Sequence, residues 1–185
     1  DLNGLTVYFI AGPLIPLDSA IYSIDHQVDS LKYAFFSLAA LRLAQELNWQ
    51  IDILHANDWH TALSIYALDS REWRTPSFER TKTLLGVHNL PYLGGGAELA
   101  IKRFGLPVAL EPTLPEWALD LPLALGLATA DRIVAVSPTY AKEILTPQFG
   151  SGLDLFLSMR RQVISGILNG LDLESWDPQT DQRLA

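Results

Sequence analysis

Five short runs of apolar residues are spaced along the chain, and most are bounded by polar residues, glycine or proline. Continuous apolar runs of four to six residues, rich in Ile, Val and Leu, are typical of buried strands. We therefore predict strands over residues 5–10, 51–54, 82–87, 132–136 and 163–168.

Longer apolar segments lie between these runs and predict helices over residues 31–47, 61–68, 97–104, 115–128 and 137–145. Gly105 suits a left-handed cap at the end of the third of them. Pro122 should disturb the fourth, and Ser137 followed by proline supplies the N-cap and first turn of the fifth. Residues 11–28 contain two prolines and no clear period, which predicts a loop.

The alternation of strands and helices predicts an α/β domain with a mostly parallel sheet that helices cover on both faces. Polar clusters directly follow four of the predicted strands. They are 55–60, His88 with Asn89, Ser137, and Asn169 with Gly170. Ligands of open parallel sheets bind at the carboxyl ends of the strands. The sequence therefore predicts one crevice shared by these clusters.

Composition narrows the range of partners. The 185 residues are 49% apolar, contain no cysteine and carry a net charge of −8. So acidic a surface repels phosphate backbones and anionic lipids, which argues against nucleic acid and membranes as partners but not against a neutral polysaccharide. No apolar run reaches the length of a membrane span. A reducing compartment, the cytoplasm or a plastid stroma, fits the lack of cysteine.

The cluster after the second strand allows several interpretations. His55, Asp58 and His60 could bind a metal, although three residues across one strand-to-helix turn rarely converge without a fourth ligand. Asp58 could instead cap the following helix. Trp59 could pack in the core or present its ring to the apolar face of a sugar.

Other conspicuous residues have simpler explanations. A lone histidine such as His88 is more often structural than catalytic. Gly94–Gly96 does not follow a strand and lacks the spacing of a phosphate-binding loop. Capping is sufficient to explain Ser137, and no role is assigned to His26.

Four segments together resemble the glycogen and starch synthases of the bacterial and plant type. IDILHANDWHTAL (51–63) resembles that family's His-x-x-Asp-Trp-His-Thr motif, and GVHNLPYLG (86–94) resembles its His-Asn-Leu-x-Tyr segment. Residues 130–154 and 165–181 are similar over longer stretches, and the matches follow the family's order.

The resemblance implies a Rossmann-like domain, the first of two that face each other across a cleft in the GT-B arrangement. On this basis residues 1–168 would be an incomplete first domain, and residues 169–185 would begin the connection to the second. The implied reaction is transfer of glucose from ADP-glucose, or less often UDP-glucose, to an α-1,4-glucan with retention, without a cofactor or metal.

The family's residue roles transfer to matching positions. His88 would lie beside the donor glucose and stabilise the transition state, and Asn169 would contact the same sugar. Asp58, assigned to catalysis together with His88, and Trp59 would lie on the acceptor side. Two further residues, Asn89 and Tyr92, would bind substrate near them.

The chain departs from the family's pattern in ways that bear on activity. It has no Lys-x-Gly-Gly-Leu loop, and it ends before the domain that supplies cations for the donor diphosphate. We therefore expect the chain to bind α-1,4-glucan, to use sugar nucleotide only with the second domain, and to be inactive alone. Asn57 replaces a usual His, and Pro91 lies within the His-Asn-Leu segment. An uncovered sheet edge would also favour self-association.

Two other functions compete with a part of a glucan synthase. One is a degenerate module that binds glucan or a partner without catalysis. The other is a different GT-B transferase of the sucrose or trehalose type, which the Asp-Trp-His-Thr and Ser-Pro-Thr-Tyr segments disfavour.

Overall fold

The structure is a computed structural model that describes residues 4–18, 20–108, 111–172, 176, 177 and 179. Four strands form one parallel sheet in the spatial order β1-β2-β3-β4. They are β1 (Ile53–Asn57), β2 (Lys82–Val87), β3 (Arg132–Ala135) and β4 (Ile164–Gly166). This confirms the predicted parallel α/β fold.

Six α-helices accompany the sheet within the described residues. They are α1 (His26–Glu46), α2 (Asp58–Asp69), α3 (Glu98–Arg103), α4 (Pro122–Thr129), α5 (Pro138–Glu143) and α6 (Asp154–Met159). Short 3₁₀ turns lie at Pro76–Phe78, Glu116–Ala118 and Arg161–Val163.

Two apolar clusters hold these elements together. The first lies between the sheet and α2, α4 and α6, and its fully buried residues include Leu85, Ile133 and Phe156. Gly126 brings α4 close to α2, since a Cβ at that position would lie 2.7 Å from the Cβ of Ala62. The second cluster packs α1 and α3 onto the outer side of α2, around residues such as Leu41.

Within the described residues, the helices that pack directly on the sheet lie against one of its faces. Ala56, Leu85 and Ile133 point into the helix-covered cluster, while Ile53, two residues along the strand from His55, is 63% exposed. The cause is the strand order. Right-handed crossovers between strands that follow one another across the sheet place every connection on the same side.

The prediction of a strand over residues 5–10 is wrong. These residues pair with none of the four strands, and Phe9 is 93% exposed. An apolar run becomes a strand only where a neighbouring edge accepts its backbone hydrogen bonds. Here residues 8–11 instead share an apolar groove with Phe35 and Leu38 of α1.

Several predicted boundaries shift for local reasons. Helix α1 begins five residues earlier than predicted because the side chain of Asp25 accepts a hydrogen bond from the Gln27 amide at 2.8 Å. Pro122 does not disturb a helix but begins one, since its fixed φ suits a first turn. The caps at Gly105 (φ +64°) and Ser137 are confirmed. Helix α6 was not predicted.

The two-part division of the chain stays a prediction. Much of the expected connection over 169–185 lies outside the described residues.

Candidate active site

A groove with a cavity volume of about 720 Å³ opens beside the carboxyl ends of β1 and β2. Four of the predicted site residues line it: Asp58, Trp59, Asn89 and Tyr92. Two of the four predicted polar clusters, 55–60 and His88 with Asn89, therefore contribute residues to this groove, while Ser137 and Asn169 do not line it. The groove also receives residues from the segment before α1 and from its first turn, Tyr22, Ser23, His26 and Asp29.

Asp58 occupies the junction between β1 and α2 in a left-handed conformation, with φ of +51°. This conformation is costly for a residue with a Cβ, although Asp tolerates it better than most. Its carboxylate accepts a hydrogen bond from the backbone N–H of His88 at 2.8 Å. Asp58 therefore does not cap its own helix, as one interpretation had it, but joins the ends of β1 and β2.

Helix α2 has no side-chain cap at its N-terminus, and the hydroxyl of Thr61 instead ties its first turn back to Asn57. This hydroxyl accepts from the Asn57 amide at 2.6 Å and donates to the Asn57 carbonyl at 2.8 Å. The Asp58 carboxylate thus remains available to the groove and to the loop after β2.

His88 is exposed beside the groove, and its imidazole is positioned by β1. Its Nε2 lies 3.1 Å from Oδ1 of Asn57, which is paired with Gly86 in the sheet register. A Cβ at Gly86 would lie 2.6 Å from that oxygen and 3.3 Å from Nε2 of His55. Because an amide oxygen only accepts, a hydrogen bond between these two atoms requires the tautomer with the proton on Nε2. Gly86, which has no side chain, leaves room for the Asn57 amide in this position.

Asn169 lies three residues after β4 and is exposed. No contact joins it to the other predicted residues. Strands β2 and β4 are separated by β3, which puts their backbones about 10 Å apart across the sheet. His88 and Asn169 are therefore on the same sheet edge, and their convergence on one sugar stays a prediction.

Aromatic rings form the wall of the groove next to Asp58. The Trp59 and His60 ring centroids are 4.3 Å apart, and Tyr33 of α1 meets both rings edge-on, at 4.9 Å and 4.7 Å. Burial lowers the pKa of His60, with the Asp58 and Asp29 carboxylates opposing that shift, and burial also raises the pKa of Tyr33 to about 12. Both rings are therefore neutral near pH 7.

The alternative of a metal site is not supported by these positions. Within the described residues, no three His, Asp or Glu side chains are grouped so that they could hold a metal ion. His60 Nε2 is instead 2.9 Å from the hydroxyl of Tyr22.

Sequence reasoning missed the contribution of the segment before α1. Residues 11–28 have no hydrophobic period, and His26 had no assigned role. A loop that lies over a groove leaves no pattern in the sequence, since its contacts are polar, specific and distant along the chain.

Fold and groove place the chain in the class of parallel α/β domains that bind ligands at the carboxyl ends of their strands. The family model of the starch synthase catalytic domain matches residues 1–159. The chain belongs to that family, which confirms the resemblance drawn from the four segments.

Individual relatives agree with the family assignment. The glycogen synthase of Thermodesulfovibrio yellowstonii is 41% identical over 83% of this chain and 31% of its own length. That of Lachnospira eligens is 37% identical over 100% of this chain and 39% of its own length. The chain thus spans about a third of the length of these relatives.

A solved structure agrees as well. The catalytic domain of starch synthase IV from Arabidopsis thaliana, bound to ADP and acarbose, matches 91% of this chain and 35% of its own, with a TM-score of 0.70 and 27% identity. Within the described part of our chain, no helix is both long and apolar enough to cross a membrane.

Proposed function

We propose that this chain supplies the acceptor side of a retaining glucosyltransferase that extends α-1,4-glucan from ADP-glucose. The observation that carries the proposal is the groove at the carboxyl edge, where the Trp59 ring and the Asp58 carboxylate lie side by side. An indole face stacks on the apolar face of a pyranose, while a carboxylate accepts hydrogen bonds from sugar hydroxyls.

The groove suits a neutral sugar better than a diphosphate. No Lys or Arg is among the residues that line it, and the neighbouring Lys32 is already paired with Asp29. A diphosphate without a cationic partner is poorly held. We therefore propose that sugar nucleotide is bound only together with the second domain of the synthase, and that the chain alone does not catalyse transfer.

In the proposed reaction, the bond between the anomeric carbon and the diphosphate oxygen breaks. A bond forms from that carbon to the terminal acceptor hydroxyl, whose proton leaves with the diphosphate. Positive charge develops at the anomeric carbon, so groups that stabilise it more in the transition state than in the ground state accelerate the step.

His88 is the residue proposed to act there, with Asn169 contacting the same glucose. Its backbone is tied to Asp58 and its imidazole to Asn57, which supports a fixed orientation. The residues 1–168 would form part of the first domain of the enzyme, and residues 169–185 would lead to the second. The cytoplasm or a plastid stroma is the expected location.

Titration of the isolated chain with maltoheptaose, followed by tryptophan fluorescence and calorimetry, tests the acceptor site. We expect saturable binding that Trp59→Ala weakens about tenfold or more. Trp49→Ala is the matched control, because Trp49 is 55% exposed and does not line the groove. Absence of binding by the unaltered chain would refute the acceptor role.

Incorporation of labelled glucose from ADP-glucose into glycogen tests catalysis. The chain alone should incorporate none, and activity should appear when a polypeptide spanning the rest of a related synthase is added. Glucan binding without activity in that mixture would instead support a non-catalytic glucan-binding module.

A further inference from the structure

A short segment before α1, residues 20–23, lies at the rim of the groove. Its Tyr22 lines the groove, is 58% exposed, and places its hydroxyl 2.9 Å from Nε2 of His60. The Tyr22 and His60 ring centroids are 5.7 Å apart, and His60 and Trp59 follow at 4.3 Å. The His60 ring is therefore in contact with the rings of both Tyr22 and Trp59.

A buried ion pair on α1 holds this segment. Asp29 and Lys32 are 4% and 7% exposed, and Nζ of Lys32 lies 3.2 Å from Oδ1 of Asp29. Buried charges are costly unless their remaining hydrogen-bonding capacity is satisfied. Here Asp29 and Lys32 both form their remaining hydrogen bonds with the backbone of residues 20–23.

The contacts of the pair are specific to residues 20–23. Lys32 donates to the carbonyls of Ala20 at 3.0 Å and Ile21 at 2.5 Å. The two carboxylate oxygens of Asp29 accept from the Ser23 amide, each at 2.9 Å. Tyr33 adds a hydrogen bond to the Ile21 carbonyl at 2.8 Å.

These bonds surround Tyr22 on both sides along the chain. A side chain at the surface of a loop would otherwise sample many orientations, and fixing it before binding lowers the entropic cost of binding. The ion pair therefore binds the backbone on both sides of Tyr22, and this fixes the point from which the Tyr22 ring extends.

We propose that Tyr22 extends the acceptor site so that it takes a second glucose of the glucan, and that Asp29 and Lys32 are positioning residues for it. This inference rests on the proposed acceptor role of the groove. The Trp59 ring would contact the terminal sugar, and the Tyr22 ring would contact the neighbouring one.

The test compares maltose with maltoheptaose binding to the chain and its variants. We expect Tyr22→Ala to raise the Kd for maltoheptaose about fivefold to tenfold and to change maltose binding much less. Lys32→Met should weaken binding in the same length-dependent way, and Lys32→Arg should restore it, because a guanidinium can serve the same partners.

Arg42→Met is the matched control for loss of a positive charge on α1. Arg42 pairs with Glu46 at 3.1 Å, but both side chains are about two-thirds exposed and lie away from the groove. Its binding of both sugars should equal that of the unaltered chain.

Three results would overturn the inference. One is an unchanged Kd for maltoheptaose in Tyr22→Ala, which remains decisive if Lys32→Met fails to fold in circular dichroism. Another is an equal loss for both sugars in Lys32→Met, which would indicate a general structural role. The third is that the unaltered chain binds neither sugar, in which case the proposed acceptor role fails together with the extension. If Trp59→Ala abolishes binding while Tyr22→Ala leaves it unchanged, the acceptor site stands and only the extension fails.

Discussion

The two faces of the sheet are built from alternate residues of the same strands, yet they differ in burial and in polarity. On one face, Ala56, Leu85 and Ile133 are buried under helices. On the other, Ile53 is 63% exposed, and His55 and Asn57 are exposed with it. The closed face is mostly apolar, while the open face carries an imidazole and an amide.

This difference shows how one strand serves both stability and chemistry. Side chains alternate with a period of two, so each strand contributes residues to the core and to the open face at once. The carboxyl end of β1 is where the two meet, because Asn57 lies on the open face and Asp58 turns the chain into α2. The position of His88 thus depends on polar contacts, whereas the position of the helices depends on packing.

The largest effect should come from the closed face. Leu85→Ala removes a fully buried side chain from the main cluster and should lower the free energy of unfolding by about 3 kcal/mol. Ile53→Ala on the open face should change it by less than about 1 kcal/mol. Urea denaturation measures both values.

A large loss in Ile53→Ala would contradict the comparison, since it would mean that the open face is covered in solution. Sedimentation at several protein concentrations would then show whether a second copy provides the cover, as the expectation of self-association requires.

A smaller effect on stability, but a clear one on the imidazole, is expected for Gly86→Ala. The added Cβ would meet Oδ1 of Asn57 at 2.6 Å and should displace it from His88. Removing a glycine also makes the unfolded chain less flexible, so the net change in stability should stay within about 1 kcal/mol. Nitrogen NMR of His88 should report loss of the Nε2-protonated form.

Gly95→Ala is the control for that substitution, since a Cβ there meets nothing within 4 Å. It should leave the His88 spectrum unchanged. An unchanged spectrum in Gly86→Ala as well would mean that Asn57 does not set the protonation of the imidazole.

The smallest effect concerns His60 in the aromatic wall. Burial lowers its pKa, so the folded chain prefers the neutral ring, and the unfolded chain binds the proton more readily. The contribution of His60 to stability is therefore complete above its ordinary pKa of about 6.5 and is lost as the pH falls below that value. His60→Gln should show a flatter stability profile between about pH 5 and about pH 8.

Thermal unfolding across that pH range, followed by circular dichroism, measures the two profiles. Parallel profiles for His60→Gln and the unaltered chain would show that another group is responsible for the loss of stability in acid.

The fold class was predictable because short apolar runs alternate with longer helical segments along the chain. Four of the five predicted strands correspond to strands of the sheet. Residues 82–87 form β2 as predicted, and the strand predicted over 132–136 forms β3 at Arg132–Ala135. The run at 5–10 is also mostly apolar but pairs with none of the four strands, and composition does not reveal whether a partner edge exists. Short helices such as α6 escape notice because six residues do not establish a period.

The position of the groove was predictable where polar residues follow strands, although the roles of those residues stay predictions. Asp58, Trp59, Asn89 and Tyr92 share a groove because the carboxyl ends of parallel strands share an edge. Tyr22 and Asp29 could not be predicted, since their partners His60 and Ser23 are reached through loop geometry and not through any repeat.

The amino-acid sequence by itself determined the alternation of elements and the family, and it showed where polar residues capable of chemistry follow the strands, because these depend on local pattern and residue type. The tertiary structure alone decided which sheet face is open, how Asp58 joins two strand ends, and which loop lies against the groove. Those features depend on strand order and on contacts between residues far apart in the chain, and such contacts leave no local pattern.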